Sequence, residues 1–539
     1  MKATAPVVLS MLHEDSGRNS ATRVFRGRAV LGWTLARLGC AKLIGRKLIL
    51  CWDDQLSAVN AAAGDDAAIV SYGHRRAIAN LDAVTAARRW ADGWRGGLLC
   101  TCDFDAGFHA PALAEAMDRL GAGMAALIDP AAGLADPAII DGLIDHAMVH
   151  GDQRLCFAPA APGLGAVVLR RSLVDDLAKA NAHPGKLLHY LPDQPARDPI
   201  SEAACAPVPT PVARTHHSLK LDSARQLDRL AVATAPLNGQ LISTDAQSLV
   251  RLLDATEAAN GFPREVTLEL TARRATRPIW WAGRHLAIAR PDLSIEAAKS
   301  LFAEIAAIED VRLTLGGVGD PIQSGQFWPV VEAARAAGLR AIHVETDLVN
   351  PPPDFVQRLG ESAIDVFSVH LPAMTAATYA AVMGSDTFVQ TLQTVAAVVN
   401  HRHGRSRGTP IVVPVFTKCA INLAEMEAWY DQWLRLLGSA VVRGPSDCAG
   451  QIPSTSLADM APPRRRACAR LASRLTVLSD GNVVACEEDM MGKRPLGRIG
   501  EQSLGAIWQQ NFTPLRDAHA EGRWEAHPLC GACKEWHRP

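Results

Sequence analysis

No run in the 539-residue chain reaches the roughly 18 consecutive apolar residues that a spanning helix needs, so no membrane span is expected. Net charge is nearly absent too. The 55 Lys+Arg against 56 Asp+Glu give -1, which argues against nucleic acid or an anionic membrane surface as partner. Internal repeats are missing, and so are low-complexity tracts beyond abundant alanine. The first residues, Met1-Lys2 and an apolar run over 5–12, are cut short by His13, Glu14 and Asp15 and do not read as a secretory signal, so a cytoplasmic location is expected. Evenly spaced cysteines are lacking as well. Of the 12, eight are scattered from Cys40 to Cys448 and four are Cys468, Cys486, Cys530 and Cys533, which excludes a disulfide-stapled mini-fold and points to one local site. What is there, 48% hydrophobic and 21% charged residues, is ordinary globular composition, with room for about three or four domains.

The strand and helix signals are those of an α/β protein. Apolar runs over 7–12, 47–52, 67–70, 97–102 and 165–169 read as strands between Ala-rich helical stretches, and a basic turn leads into a helix over 29–38. Residues 197–218, dense in Pro, Ala and small polar side chains, are the best linker, with His216 and His217 expected to face solvent. From 266 to 442, six apolar segments (266–270, 311–315, 341–344, 364–369, 411–416 and 440–442) recur as in successive βα units. Ser294 is a natural N-cap and Gly338 a natural C-cap within that rhythm. An open sheet or partial barrel is expected, with strand C-terminal ends gathered on one rim. A hairpin is expected over 474–486 through Asp480-Gly481. The expected divisions are 1–199, a linker and helical connection at 200–262, 263–445 and 446–539.

Cys530-Gly531-Ala532-Cys533 is a knuckle whose two sulfurs can reach one metal centre, and Cys486 ends a hairpin strand. Four cysteines in one module point to a soft-metal site, either structural zinc or an iron-sulfur cluster. Cys468, twelve residues, Gly481, four residues, Cys486, then Cys530-x-x-Cys533 is similar to the pattern of SPASM domains, the auxiliary-cluster modules of radical SAM enzymes. The run from Asp480 to Asp489, Leu496-Gly497-Arg498-Ile499 and Ser503-Leu504-Gly505-Ala506-Ile507-Trp508 agree with it, and the whole resembles the spiro-SPASM type. The resemblance implies one 4Fe-4S cluster on Cys468, Cys486, Cys530 and Cys533. The further cysteines of the full pattern do not follow, so a second cluster is not expected.

The same resemblance extends into the middle region. Leu268-Glu269-Leu270-Thr271-Ala272-Arg273-Arg274 is similar to the segment that opens the radical SAM cysteine loop, with Arg274, Pro278 and Trp281 where the three cysteines would stand. Arginine and proline offer iron no ligand, so reductive cleavage of S-adenosylmethionine is not expected there. Gly316, Gly317, Gly319 and Asp320 resemble the turn that meets the amino group of S-adenosylmethionine and form a candidate residual site. Arg273, Arg274, Arg277, Trp280 and Trp281 gather on that rim as an anion site or as ion pairs filling vacated space.

Residues 24–38 resemble a segment of nucleotidyltransferases and GT-A glycosyltransferases, implying a Rossmann-like N-terminal domain. Asp103 and Asp105 then stand where that superfamily holds a divalent ion, and two carboxylates suit Mg or Mn. The phosphate-cradling loop is replaced by residues 11–18, where Glu14 and Asp15 repel phosphate. The expected fold is therefore this domain, a (βα)6 partial TIM barrel and a small cysteine-ligated SPASM domain. The first functional reading is a cluster-binding protein with a redox, scaffold or substrate-binding role in a modification pathway, acting on a small-molecule, peptide or redox partner. A transferase using a metal at Asp103 and Asp105, and a zinc-stabilised interaction protein, are the alternatives.

Overall fold

The computed structural model describes residues 4–256, 261–405 and 407–538. It divides into two units, Met1–Ala258 and Ala259–Pro539.

In the first unit, strand β1 (Ala5–Ser10) shows why the chain folds in three layers. Successive side chains of a strand point to opposite faces, and here Val7 and Leu9 enter one core cluster while Val8 enters another. A short ribbon follows, β2 (Val24–Phe25) with β3 (Arg28–Ala29), and then the expected helix, Val30–Leu38. The remaining strands are β4 (Ile44–Cys51), β5 (Ala68–Ser71), β6 (Met124–Leu127), β7 (Leu155–Phe157) and β8 (Val167–Arg170). The sheet order is β5-β4-β1-β6-β8-β7, parallel up to β6 and antiparallel at β8 and β7. Helices Val30–Leu38 and Pro137–Val149 cover one face, and Ala110–Leu120 and Arg171–Ala180 the other.

Two expectations in this unit are corrected. Residues 97–102 form no strand: a 3-10 turn at Leu98–Cys100, with Leu99 and Cys100 left-handed (φ 56° and 59°), leads into a second at Asp103–Asp105, since a short apolar run does not by itself fix an extended backbone. The Pro-rich stretch is not a free linker: Phe157 N donates to Ala204 O (2.9 Å), Ala206 N donates to Phe157 O (2.8 Å), and Val212 is fully buried. His216 is exposed as expected, whereas His217 binds Asp254 (3.0 Å).

The second unit is built on nine strands. Six fall on the apolar segments: β9 (Glu265–Leu268), β10 (Arg312–Leu315), β11 (Ala341–Thr346), β12 (Val366–His370), β13 (Ile411–Thr417) and β14 (Val441–Arg443). They lie side by side in chain order and all run parallel. Helices Ile295–Ala306, Phe327–Ala336, Phe355–Glu361, Phe388–Gly404 and Met426–Leu437 supply the crossovers. Ser294 caps the first through its side chain (Ala297 N, 3.2 Å), and Gly338 follows the second at φ 94°.

The hairpin forms as β15 (Arg474–Val477) and β16 (Asn482–Val484), turning at Gly481 (φ 88°), with β17 (Gly497–Arg498) beside it. Strand β15 pairs parallel with β9, Leu268 opposite Val477. Tail and parallel sheet therefore share one sheet and one apolar core, in which Leu475, Val477, Val483 and Trp508 join Val266 and Leu268.

Candidate functional site

All carboxyl ends of the parallel strands open on one edge, and that edge is charged. Arg274, in the loop after β9, grips fully buried Asp347 after β11 with two guanidinium hydrogen bonds (2.7 and 2.6 Å). Thr276 donates to the same carboxylate, and His370 at the end of β12 bonds to it through Nδ1 (2.8 Å). Arg443 at the end of β14 reaches Glu345 (3.3 Å) and the Nε2 of His370 (2.8 Å). The positions where cysteines would have stood are thus committed elsewhere: Arg274 to Asp347, Pro278 to burial, and Trp281 Nε1 to Val318 O (2.8 Å).

The glycine turn is equally engaged. Gly317 has φ 121°, and a Cβ on Gly319 would lie 2.0 Å from Thr271 O, so glycine is required where the two loops cross. Val318 N donates to Glu269 (3.1 Å), whose carboxylate also holds Arg290 (2.7 and 2.9 Å) and Ser479 N (3.2 Å). Asp320 accepts from Ile322 N (3.2 Å), Thr346 Oγ1 (3.0 Å) and Asp347 N (2.9 Å). Burial and the charge of Asp347 push its carboxyl up to about 7. Arg273 pairs with Asp292 at the surface (2.7 Å).

This edge has an acid limit. Burial raises the Glu345 carboxyl, but Arg443, His343 and His370 outweigh it and hold the group down to about 2. A carboxylate depressed in the folded state stabilises the fold above its unfolded value and loses that contribution as pH falls through the folded one. Stability is expected to drop between about pH 4.5 and 2, and thermal melts of Glu345→Gln should show a shallower drop across that window.

In the first unit Asp105 is fully buried, accepting from Cys102 N (2.8 Å), Gly185 N (2.9 Å) and His183 Nδ1 (3.0 Å). Asp103 faces Lys220 (3.2 Å) and Arg88 (3.7 Å). Lys220 also meets Asp129, and the two carboxylates outweigh burial to keep it an ammonium. The expected Mg or Mn pair is therefore already satisfied by the chain's own donors. Lys220 lies 117 residues from Asp103, beyond any local motif.

The tail brings all four expected cysteines together. Cys468 precedes the turn Arg470–Ser473, Cys486 follows β16, and Cys530 and Cys533 sit in a tight turn with Cys533 N bonded to Leu529 O (3.1 Å). All four are half-buried, free thiols lining one pocket. Glu535 N donates to Cys533 Sγ (3.3 Å), and Arg465 ties down the carbonyls of Gly531 (3.0 Å) and Cys530. Arg470 lines the pocket while held by Glu488 (3.1 Å) and Glu487 (3.3 Å). Burial, with the neighbouring thiols, pushes Cys530 up to about 12, and burial with Glu488 pushes Cys533 up to about 11, so a metal must displace protons to bind. Among the described residues, no three His, Cys, Asp or Glu side chains are placed to hold a single metal ion.

Residues 468–534 match the family model of SPASM, an iron-sulfur cluster-binding domain. The tail carries a SPASM domain. The match covers the three cysteine positions of the hairpin and knuckle together with Cys468. The chain is also 29% identical over 117 residues to an uncharacterized protein of Treponema pallidum, taking in 22% of this chain and 32% of that protein, so it spans about a third of the relative. Among solved structures it is similar to BtrN in complex with AdoMet and 2-DOIA (18% identity, TM-score 0.35, 50% of this chain and 92% of that one). It is also similar to Streptococcus suis SuiB bound to the precursor peptide SuiA (11% identity, TM-score 0.40, 56% and 84%). No helix among the described residues is long and apolar enough to cross a membrane.

Proposed function

We propose that this protein holds one 4Fe-4S cluster on Cys468, Cys486, Cys530 and Cys533 and serves a redox, scaffold or substrate-binding role in a modification pathway. The observation that carries the reading is the convergence of four thiols on one buried pocket. The donor set fits the group: four soft sulfur ligands, with an N–H already bonded to Cys533 Sγ.

When bound, such a cluster supplies one-electron chemistry. The chain's own residues then do the rest. Arg465 fixes the knuckle, Arg470 with Glu487 and Glu488 closes one wall, and Leu471, Leu529 and Trp536 exclude water. The six parallel strands are read as a partial barrel of radical SAM type that has lost its cluster cysteines, because the Arg274–Asp347 pair fills the rim where they would stand. The partner is a small molecule, a peptide or a redox protein in the cytoplasm.

The test is anaerobic purification with iron, acid-labile sulfide and zinc measured per chain, and absorption spectra before and after dithionite. About four irons and four sulfides, with a visible band that bleaches, are expected. One zinc and no sulfide would overturn the reading.

A further inference from the structure

Two histidines, His519 and His527, share the pocket with the four cysteines, and each is only 2% exposed. They differ in how they are satisfied. His527 Nδ1 accepts from Leu529 N (3.3 Å), so one of its nitrogens has a protein partner. His519 sits in the helix Thr513–Ala520 with its ring edge-on to Trp524 (centroids 5.3 Å apart), and neither of its nitrogens has a partner. A neutral imidazole carries one N–H donor and one acceptor, and a buried polar side chain that leaves both unmet is a rare arrangement. A leucine would pack against Trp524 without that penalty. Elsewhere in the wall Arg465 holds the Gly531 and Cys530 carbonyls and Arg470 holds Glu487 and Glu488, leaving the Nε of each arginine and Nε2 of His527 without a partner, so His519 alone has its whole polar complement unmet.

We infer that His519 donates a ring N–H hydrogen bond to a sulfur atom of the group held by Cys468, Cys486, Cys530 and Cys533, and so raises its reduction potential. The inference rests on the iron-sulfur reading above. Hydrogen bonds to cluster sulfurs are among the levers that set such potentials, because an N–H dipole stabilises the more negative, reduced form more than the oxidised one. One electron enters on reduction, supplied in the test by dithionite-reduced mediator dyes. The N–H bond stays intact and no proton moves.

The experiment is a reductive titration of the full-length, anaerobically prepared protein and its His519→Phe and His519→Gln variants, after iron and sulfide have been counted in each. Absence of sulfide in the parent protein removes the iron-sulfur reading and this inference with it. Given a loaded parent, His519→Phe with equal iron content is expected to show about a tenfold lower reduced-to-oxidised ratio at fixed potential, equivalent to about 59 mV for a one-electron couple. His519→Gln keeps a side-chain N–H and should fall between the two. Equal potentials in parent and His519→Phe overturn the inference. Should His519→Phe fail to load, pulsed EPR on the reduced, 15N-histidine-labelled parent decides. Coupling to one histidine nitrogen and to a proton that exchanges in D2O is expected, and absence of both overturns the hydrogen bond.

Discussion

Replacing Arg274 with alanine is expected to lower the unfolding free energy of the second unit by about 3–5 kcal/mol, the loss typical of removing one member of a buried ion pair. Asp347 is fully buried, and two of its hydrogen bonds come from the Arg274 guanidinium. Without that partner the carboxylate keeps only His370, Thr276 and its neighbours against a site that excludes water. At about 2–4 °C per kcal/mol for a unit of this size, the melting temperature should fall by roughly 10 °C. The double variant Arg274→Met/Asp347→Leu should lose much less, because a buried pair replaced by apolar groups of similar volume is often near neutral. Circular dichroism melts of the single and double variants decide the matter. A single variant that melts with the parent would mean that this pair does not hold the rim closed.

Cys486→Ala is expected to abolish cluster loading, leaving three thiols in the pocket, and to destabilise the tail. Metal binding free energy is folding free energy in small modules, and a site filled about 1,000-fold above its Kd contributes about 4 kcal/mol. Iron per chain should fall to near zero and limited proteolysis should cut first within 446–539. Cys448→Ala is the control: Cys448 is buried in the same region, outside the pocket lining, and its loss should leave the iron content unchanged. Full loading of the Cys486 variant would mean that the ligand set is wrong.

What was legible in the sequence depended on how local the physics is. Strands β9 to β14 sit in a parallel sheet whose interior positions are buried, so they appear as apolar runs such as Ile411–Thr417, every residue of which is buried. The hairpin announces itself because Asp480-Gly481 supplies the left-handed turn residue between apolar segments. Cysteine spacing carried the tail site. Contacts between distant positions left no such trace. Arg274 finds Asp347 across 73 residues and Asp103 finds Lys220 across 117, so neither pairing is written in a motif. The polar residues at the carboxyl ends of buried strands, Glu345 through Asp347 and His370, were the available signal for the rim. His519 lies on an amphipathic helix where its burial reads as packing, and only its missing partners set it apart.

The pairing of β9 with β15 sets an order of events during synthesis. The first strand of the second unit is made about 200 residues before the partner that covers its outer edge, as the register Leu268 with Val477 shows. Until the hairpin emerges from the ribosome, β9 presents an unpaired edge on its outer side, the kind of surface that templates aggregation. A nascent chain halted after β14 should bind holdase chaperones or self-associate, and release should coincide with the arrival of β15. Because Cys486 lies just beyond that hairpin and Cys530 and Cys533 later still, closure of the edge also precedes completion of the four-cysteine set.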